Sequence, residues 1–456
     1  MVRRRIHRRP RVCVVSLGCA KNLADSEAML GQVIAAEPTA LVCAEPQDAD
    51  VVVINTCGFL GAARDEADET LDAVERLQAE GHVVRIVAVG CYPQLWGEQV
   101  LKRHPGLYAV MGVDAMYQKA FWEGLLKQVP PPGVERPVDL DAMRAFEAPR
   151  LLSGSASYAY LKIADGCSQR CTYCTIPRIK GPRISRSAEV ILREAEQLVQ
   201  AGATELILVS QNTSAYGMDL TPEHRPQLAA LLRELDQLPG VRILRVLYLY
   251  PTLVTQELLE VIGGSRHIAH YVDIPFQHTD PVVLRAMGRP WVAGSAVRLV
   301  NRVRRIIPDA GIRSTFIVGF PGETEEQFQC LLADLRVLRL DHASAFAYSR
   351  EALAVSSRFP DQVHGSTKGR RLREFMEVQQ EISSSINEVR YLNRDVEIIV
   401  DGATRSGIYG RTLLDAPDVD NALMVRTGHK MHPAPGDICR ARITAVGPYD
   451  LDGILL

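Results

Sequence analysis

The chain has 456 residues, 47% of them apolar and 23% charged, with a formal charge of −2 at pH 7. That balance belongs to an ordinary folded chain of two to four domains; it excludes a disordered or membrane-embedded protein, and it provides no global field for gripping nucleic acid. The longest apolar runs, such as Val51–Ile54 and Ile86–Gly90, fall far short of the ~20 residues that span a bilayer, so no membrane partner and a cytoplasmic location are expected.

The N-terminus opens on Arg3, Arg4, Arg5, Arg8, Arg9 and Arg11, read here as a frayed basic tail, because Val12–Leu17 runs into Gly18 and Lys21 rather than into a secretory apolar core. From Arg11 to about Gly124, apolar runs at Val12–Leu17, Val51–Ile54, Arg85–Val89 and Leu107–Met111 alternate with helical patterns. Such alternation predicts an α/β domain with a parallel sheet, assigned to residues 1–128. A Pro-Pro-Pro-Gly run opens a polar linker, 129–157.

Residues 158–388 carry a second alternating series, with strands near Tyr158–Ile163, Glu205–Ser210, Ile243–Tyr248, Val272–Pro275, Ser314–Gly319 and Ala343–Ala347. Six β/α repeats predict a partial (β/α)6 barrel whose active site lies at the C-terminal strand ends. From 389 to 456 the pattern changes to short strands, among them Val396–Val400, Leu423–Val425 and Ile438–Ala445, which predict a small antiparallel β-barrel.

Ten cysteines in such a chain suit metal ligands or buried thiols better than disulfides. Cys13, Cys43, Cys330 and Cys439 stand inside apolar runs and are expected in the core. Cys167, Cys171 and Cys174 fall within eight residues, CSQRCTYC, directly after the first barrel strand. A structural zinc site wants four ligands, and no second pair is near; a cubane iron–sulfur cluster can be gripped at three corners with one iron left open. Cys19, Cys57 and Cys91 are far apart in sequence, yet each sits just past a predicted strand (VVSLGC, VVINTC, IVAVGC). In a parallel sheet those loops share one edge, which brings three more thiols together. Gly319, Gly322 and Glu323 in STFIVGFPGETEE, together with Gln211, Asn212, Gln277 and His278, follow predicted strands at the cavity mouth and are candidate ligand contacts.

CxxxCxxC with Tyr173 before the last cysteine resembles the signature of the radical S-adenosylmethionine superfamily. The resemblance implies that the open iron binds the amino acid end of S-adenosylmethionine and that an electron from the cluster cleaves it to methionine and a deoxyadenosyl radical. It also makes Tyr173, with Gln211, Gln277, Gly319, Gly322 and Glu323, candidate cofactor contacts. SLGCAKNLADSE, INTCGF, VGC, ADGCSQRCTYCTIPRIKGPRISR and DIPFQH extend the likeness over nearly the whole chain, to the methylthiotransferase family of two-cluster radical enzymes. The closing domain resembles that family's TRAM domain, and GRTLLDAPDVDN within it is similar to the branch acting on ribosomal protein twelve of the small subunit. Three departures stand out: Ala20 replaces a proline, GCYPQL replaces the usual Gly-Cys-Leu-Ala-Gln-Arg, and EALAVSS replaces a Glu-Glu-Gly-Thr run.

By that resemblance the chain holds two 4Fe-4S clusters, one on each triad, uses S-adenosylmethionine, depends on an electron donor, and adds a methylthio group to the β-carbon of an aspartate. A tRNA adenosine methylthiotransferase is the alternative within the same chemistry, and a non-catalytic sulfur carrier or electron-transfer protein is the alternative outside it. Residues 391–456 contain seven Lys/Arg and nine Asp/Glu, which argues for a basic protein rather than RNA as partner. Asp415, Asp418 and Asp420 are expected to point outward towards it.

Overall fold

The computed structural model describes residues 9–114, 119–126, 144, 146, 147, 149–155, 157–289, 294–428 and 433–456. The arginine arm through Arg8 and most of the 129–157 linker lie outside them. The chain packs as two compact units: the first comprises Met1–Ser153, Ala164–Gln169 and Thr175–Val190, the second Gly154–Ile163, Arg170–Cys174 and Ile191–Leu456.

In the first unit, β1 (Arg11–Ser16), β2 (Leu41–Val42), β3 (Val51–Thr56), β4 (Arg85–Gly90) and β5 (Ala109–Val110) form a parallel sheet in the order β2-β1-β3-β4-β5. Every residue of β3 and β4 is buried, as an apolar run covered on both faces must be. Side chains alternate between those faces. Val51, Val53, Val87 and Val89 pack on Met29, Leu30 and Val33 of helix α1 (Ala20–Ala36), while Val52, Ile54, Ile86 and Ala88 pack on Leu71 and Val74 of α2 (Gly61–Glu80) and Val100 of α3 (Cys91–Arg103).

The second unit starts with β6 (Tyr158–Lys162), after which β7 (Ala164–Asp165) and β8 (Ile184–Ser185) pair antiparallel within the first unit. The other barrel strands are β9 (Glu205–Val209), β10 (Ile243–Val246), β11 (Tyr271–Asp273), β12 (Gly311–Val318) and β13 (His342–Ala347). They pair in parallel as β10-β9-β6 and β11-β12-β13, joined by a bridge between Leu244 and Ile268. No pairing between β13 and β6 closes the ring among the described residues. The six strands are the six the sequence predicts.

The C-terminal segment is a closed barrel of β14 (Asp395–Thr404), β15 (Gly407–Thr412), β16 (Ala422–Arg426), β17 (Ile438–Val446) and β18 (Asp450–Leu455), in the order β14-β15-β16-β18-β17. Ile398, Val400, Ile408, Leu423, Val425, Ala441, Ile443 and Leu451 fill it. β16 and β18 run parallel, so the barrel is not purely antiparallel.

Two of the three acids in the loop after β15 turn inward, and only Asp418 is exposed as expected. Asp415 is completely buried, and so is the side chain of Asp420, although that residue as a whole is half-buried. Asp415 accepts from Thr412 Oγ1 at 2.5 Å and lies 2.9 Å from His342 Nε2, while Asp420 accepts from Tyr271 OH and Arg313 Nη1, each at 2.6 Å. Asp418 takes the Tyr158 hydroxyl at 2.9 Å. Glu205, also fully buried, is gripped by Arg245 and Arg411 at 2.5 Å each. Tyr158, Glu205, Tyr271 and His342 each open a barrel strand, so the loop seals the N-terminal end of the strands, the end that carries stability rather than chemistry. Burial favours neutral His342, but Asp420 and Asp415 outweigh it and hold its pKa at about 9. Burial pushes Asp420 up, and His342 and Arg313 pull it below the usual carboxylate range. Cys330 also departs from expectation: it is exposed on the outer side of the helix Glu325–Leu338, whereas Cys13 is buried in the core.

Candidate active site and cluster ligands

The register of the first sheet explains how three distant cysteines meet. Ser16 pairs with Asn55, and Thr56 pairs with Gly90, so the loops carrying Cys19, Cys57 and Cys91 leave the sheet along one edge. Asn22 stands between them. Its Nδ2 donates to Leu17 O at 2.9 Å and Thr56 O at 3.2 Å, tying two of the loops, while its Oδ1 lies 4.0 Å from Cys19 Sγ and 4.0 Å from Cys91 Sγ. Asn55 Nδ2 supports it by donating to Asn22 O and Ser26 Oγ, both at 2.9 Å. Gly90 has a φ of +100°, and a Cβ there would meet Asn55 Oδ1 at 2.4 Å and Thr56 O at 2.8 Å, so only glycine permits the turn into Cys91.

Cys19 caps α1, and Cys91 opens α3, a position where a helix N-terminus favours thiolate. Burial opposes it: the Cys91 thiol is pushed up to about 12 by desolvation, with Lys180 pulling down and Cys57 and Cys19 pushing up. Cys57 is raised for the same leading reason. Cys57 and Cys91, made harder to ionise by burial and by the sulfurs beside them, call for a shared cation. With no fourth thiol in the set, the donors fit a 4Fe-4S cluster held at three corners, whose binding would release the protons.

The CxxxCxxC loop is held by one bond of its own and by several to distant segments. Cys167 N donates to Gly181 O at 3.1 Å within the first unit, and Cys174 N donates to Cys171 O at 3.1 Å within the second. Thr172 N donates to Met287 O at 3.0 Å, Thr172 Oγ1 to Ala286 O at 2.8 Å, and Thr172 O accepts from Ser356 N at 2.9 Å. Ser356 comes from the departing EALAVSS run, which therefore still braces the cysteine loop. Tyr173 turns inward, where Arg289 Nη1 donates to its hydroxyl at 3.2 Å and Nη2 donates to Pro275 O at 2.7 Å. The guanidinium lies 4.5 Å over the Tyr250 ring. Burial raises the Tyr173 phenol, so it stays protonated. Neither Asn22 nor Arg289 emerges from the sequence reading. The available signal for Arg289 is its place between Gly288 and Pro290, at the end of the short segment PVVLRAM.

The other candidates gather at the C-terminal strand ends of the second unit. Gln277 adopts a φ of +71°, held there because its N donates to Thr315 O and its O accepts from Ile317 N, each at 2.8 Å. Such strain in a non-glycine residue marks a place where function overrides local preference. Gly319 and Gly322 are also left-handed, at +71° and +79°. Glu323 is buried, accepts from Phe320 N at 3.0 Å and faces Arg371 at 3.2 Å. Burial raises its pKa to about 7, against Arg371 and backbone donors that lower it. Gln211 follows β9 and is half-buried, and Asn212 beside it is buried. Asn212 Nδ2, His278 Nε2 and Thr279 Oγ1 are buried without a hydrogen-bond partner among the described residues. Orphaned polar atoms at the strand ends fit a polar ligand such as S-adenosylmethionine. Burial holds His278 neutral, with a pKa of about 4.

A partial parallel barrel with a three-cysteine loop after its first strand defines a radical S-adenosylmethionine enzyme. The family model of the Radical SAM superfamily matches residues 161–335, that of the Uncharacterized protein family UPF0004 matches 11–112, and that of the TRAM domain matches 394–455. Over 448 residues the chain is 39% identical to "Ribosomal protein uS12 methylthiotransferase RimO" of Desulforudis audaxviator, covering 97% of this chain and 96% of that one. Over the same length it is 40% identical to the protein of that name from Moorella thermoacetica, covering 97% and 99%. The chain belongs to the RimO family of radical S-adenosylmethionine methylthiotransferases, enzymes of 4Fe-4S clusters and S-adenosylmethionine. Among solved structures, the radical S-adenosylmethionine methyltransferase TsrM from Kitasatospora setae shares the fold, with a TM-score of 0.55 and 16% identity over 76% of this chain and 77% of that one.

Proposed function

We propose that this enzyme adds a methylthio group to the β-carbon of an aspartate in small-subunit ribosomal protein uS12, with Cys167, Cys171 and Cys174 holding the radical cluster and Cys19, Cys57 and Cys91 the auxiliary one. The observation that carries the two-cluster reading is the second thiol triad, gathered around Asn22 by the register of a parallel sheet. The choice of uS12 rests on near-full-length likeness to relatives that bear that substrate in their names. When bound, the radical cluster supplies the electron that cleaves S-adenosylmethionine, and the auxiliary cluster serves sulfur insertion.

The chain's own residues supply position and exclusion of water. Arg289 and Thr172 fix the cysteine loop, Tyr173 fills the space behind it, and Gln211, Gln277, Gly319 and Gly322 let backbone and amide groups approach the adenosine-bearing ligand at the strand ends. Glu323 shapes that turn through Phe320 N and Arg371. One S-adenosylmethionine serves removal of the β-hydrogen, and a second donates the methyl group. The electron donor is a separate cytoplasmic reductant. No helix among the described residues is long and apolar enough to cross a membrane, which suits encounter with a ribosomal protein in the cytoplasm.

The test is mass spectrometry of small-subunit proteins from cells with and without the gene. A uS12 peptide heavier by one methylthio substituent at aspartate, present only with the gene, supports the reading. Unmodified uS12 alongside loss of a methylthio-adenosine from tRNA would replace it with the RNA substrate.

A further inference from the structure

One buried cation in the first unit is used by neither triad as a ligand. Lys180 follows the radical cysteines in CTYCTIPRIKG, and its ammonium lies 3.2 Å from Asp25 Oδ2 and 3.1 Å from Asp165 Oδ2. All three residues are buried. The two carboxylates belong to different structures. Asp25 is on α1, six residues after Cys19 and one helical turn beyond Asn22, whereas Asp165 ends β7, two residues before Cys167. Gly181, next to Lys180, accepts the Cys167 N–H at 3.1 Å, so the backbone beside the lysine holds Cys167. Lys180 also lines a small cleft with Asn22, Asp25, Asn55 and Gly90, the residues that frame Cys19 and Cys91. A single ammonium thus joins the helix that starts at an auxiliary cysteine to the strand that leads into a radical cysteine.

We propose that Lys180 is a positioning residue that fixes the separation between the auxiliary triad and the Cys167 arm of the radical triad. The inference rests on the assignment of a cluster to each triad. Sulfur insertion needs the radical made at one site to reach a substrate carbon held within reach of the other, and misplacement by about an ångström costs on the order of a hundredfold in such a step. A charge pair with both partners buried is suited to that task because it tolerates neither loss of the cation nor slippage of the acids. A lysine reaching two acids at one nitrogen sets a distance in a way that arginine's planar fork does not reproduce.

The experiment uses full-length reconstituted enzyme and its Lys180→Met, Lys180→Arg and charge-neutral Asp25→Asn/Lys180→Met/Asp165→Asn variants. Iron per chain, the magnetic dipolar interaction between the two reduced clusters, and deoxyadenosine formed per methylthio product are measured on each. Lys180→Met is expected to keep the iron of both sites, to change the intercluster interaction, and to raise the deoxyadenosine-to-product ratio tenfold or more. Lys180→Arg should recover part of both. If Lys180→Met loses iron because the two acids have lost their shared cation, the neutral triple variant decides by the same two readouts. A variant that retains its iron with both the interaction and the ratio unchanged would overturn the proposal. Wild type that holds two clusters and makes no methylthio product would instead refute the proposed function, leaving the intercluster measurement as the test of Lys180.

Discussion

The two cysteine triads reach the same donor set by opposite routes. Cys167, Cys171 and Cys174 are written contiguously, and their loop is fixed by a local bond from Cys174 to Cys171, by Thr172 bonds to the distant Ala286 and Met287, and by the Arg289 clamp. Cys19, Cys57 and Cys91 are brought together by the register of β1, β3 and β4 and by one asparagine spanning two loops. A contiguous motif survives moderate changes in its surroundings, because spacing along the chain does most of the gathering. A triad assembled by topology depends on every element that sets the register, so its weak points are residues that are not ligands.

The largest expected effect separates the two sites by chemistry. Cys171→Ala should abolish both reductive cleavage of S-adenosylmethionine and methylthio product, whereas Cys57→Ala should abolish product while deoxyadenosine formation continues. Chromatography of the reaction checks both, and loss of cleavage in Cys57→Ala with the radical cluster intact would erase the distinction.

Next comes Gly90→Ala. The backbone there is left-handed and a Cβ would press on Asn55 Oδ1 and Thr56 O, so a cost of about 2–4 kcal/mol is expected, with loss of the auxiliary iron alone. Denaturant titration and iron analysis on one sample check it. Arg289→Met is the counterpart for the contiguous site. It removes the donor to Tyr173 and Pro275 O, at about 2 kcal/mol, and should lower radical-cluster occupancy only in part, because Thr172 still fastens the loop. Equal iron loss in the two variants would mean that the sites do not differ in how they are built.

The smallest effect lies in the seal at the N-terminal strand ends. His342 has its pKa raised from 6.5 to about 9, so its contribution is fully present below pH 6.5 and is lost as pH rises through about 9. Thermal unfolding of the second unit should therefore weaken across that window, by at most about 3 kcal/mol, and Asp420→Asn should flatten the dependence. A profile unchanged in Asp420→Asn would remove His342 from the account.

Much of the fold was legible because period and length agree: most barrel strands and the main N-terminal strands are largely apolar runs of ordinary size, and only β11, at three residues, is short. β2 escaped because it is two exposed residues, and β15 and β18 because GIYGRT and DLDGIL carry glycines and charges that read as turns. The radical triad was plain from spacing alone. The auxiliary triad needed the inference that loops after parallel strands share an edge. Asn22, Lys180 and Arg289 were missed because single polar residues announce nothing until their partners are placed.

The acidic loop was misread for a related reason. Counting charges in residues 391–456 treats every acid as exposed, yet the partners of Asp415, Asp420 and Asp401 are His342, Arg313, Tyr271 and Arg411. Arg245, Arg313 and His342 sit in otherwise apolar barrel strands, and a buried cation in a strand demands an acid from somewhere. That demand was the available clue.

The central claim is that each triad holds its own cluster. It is tested most directly by counting iron and acid-labile sulfide per chain after anaerobic reconstitution, in wild type and in the Cys167→Ala/Cys171→Ala/Cys174→Ala variant. Separate sites predict that the variant keeps about half the iron and sulfide of wild type. Retention of all of it, or loss of all of it from a chain that remains folded, would contradict the two-site account.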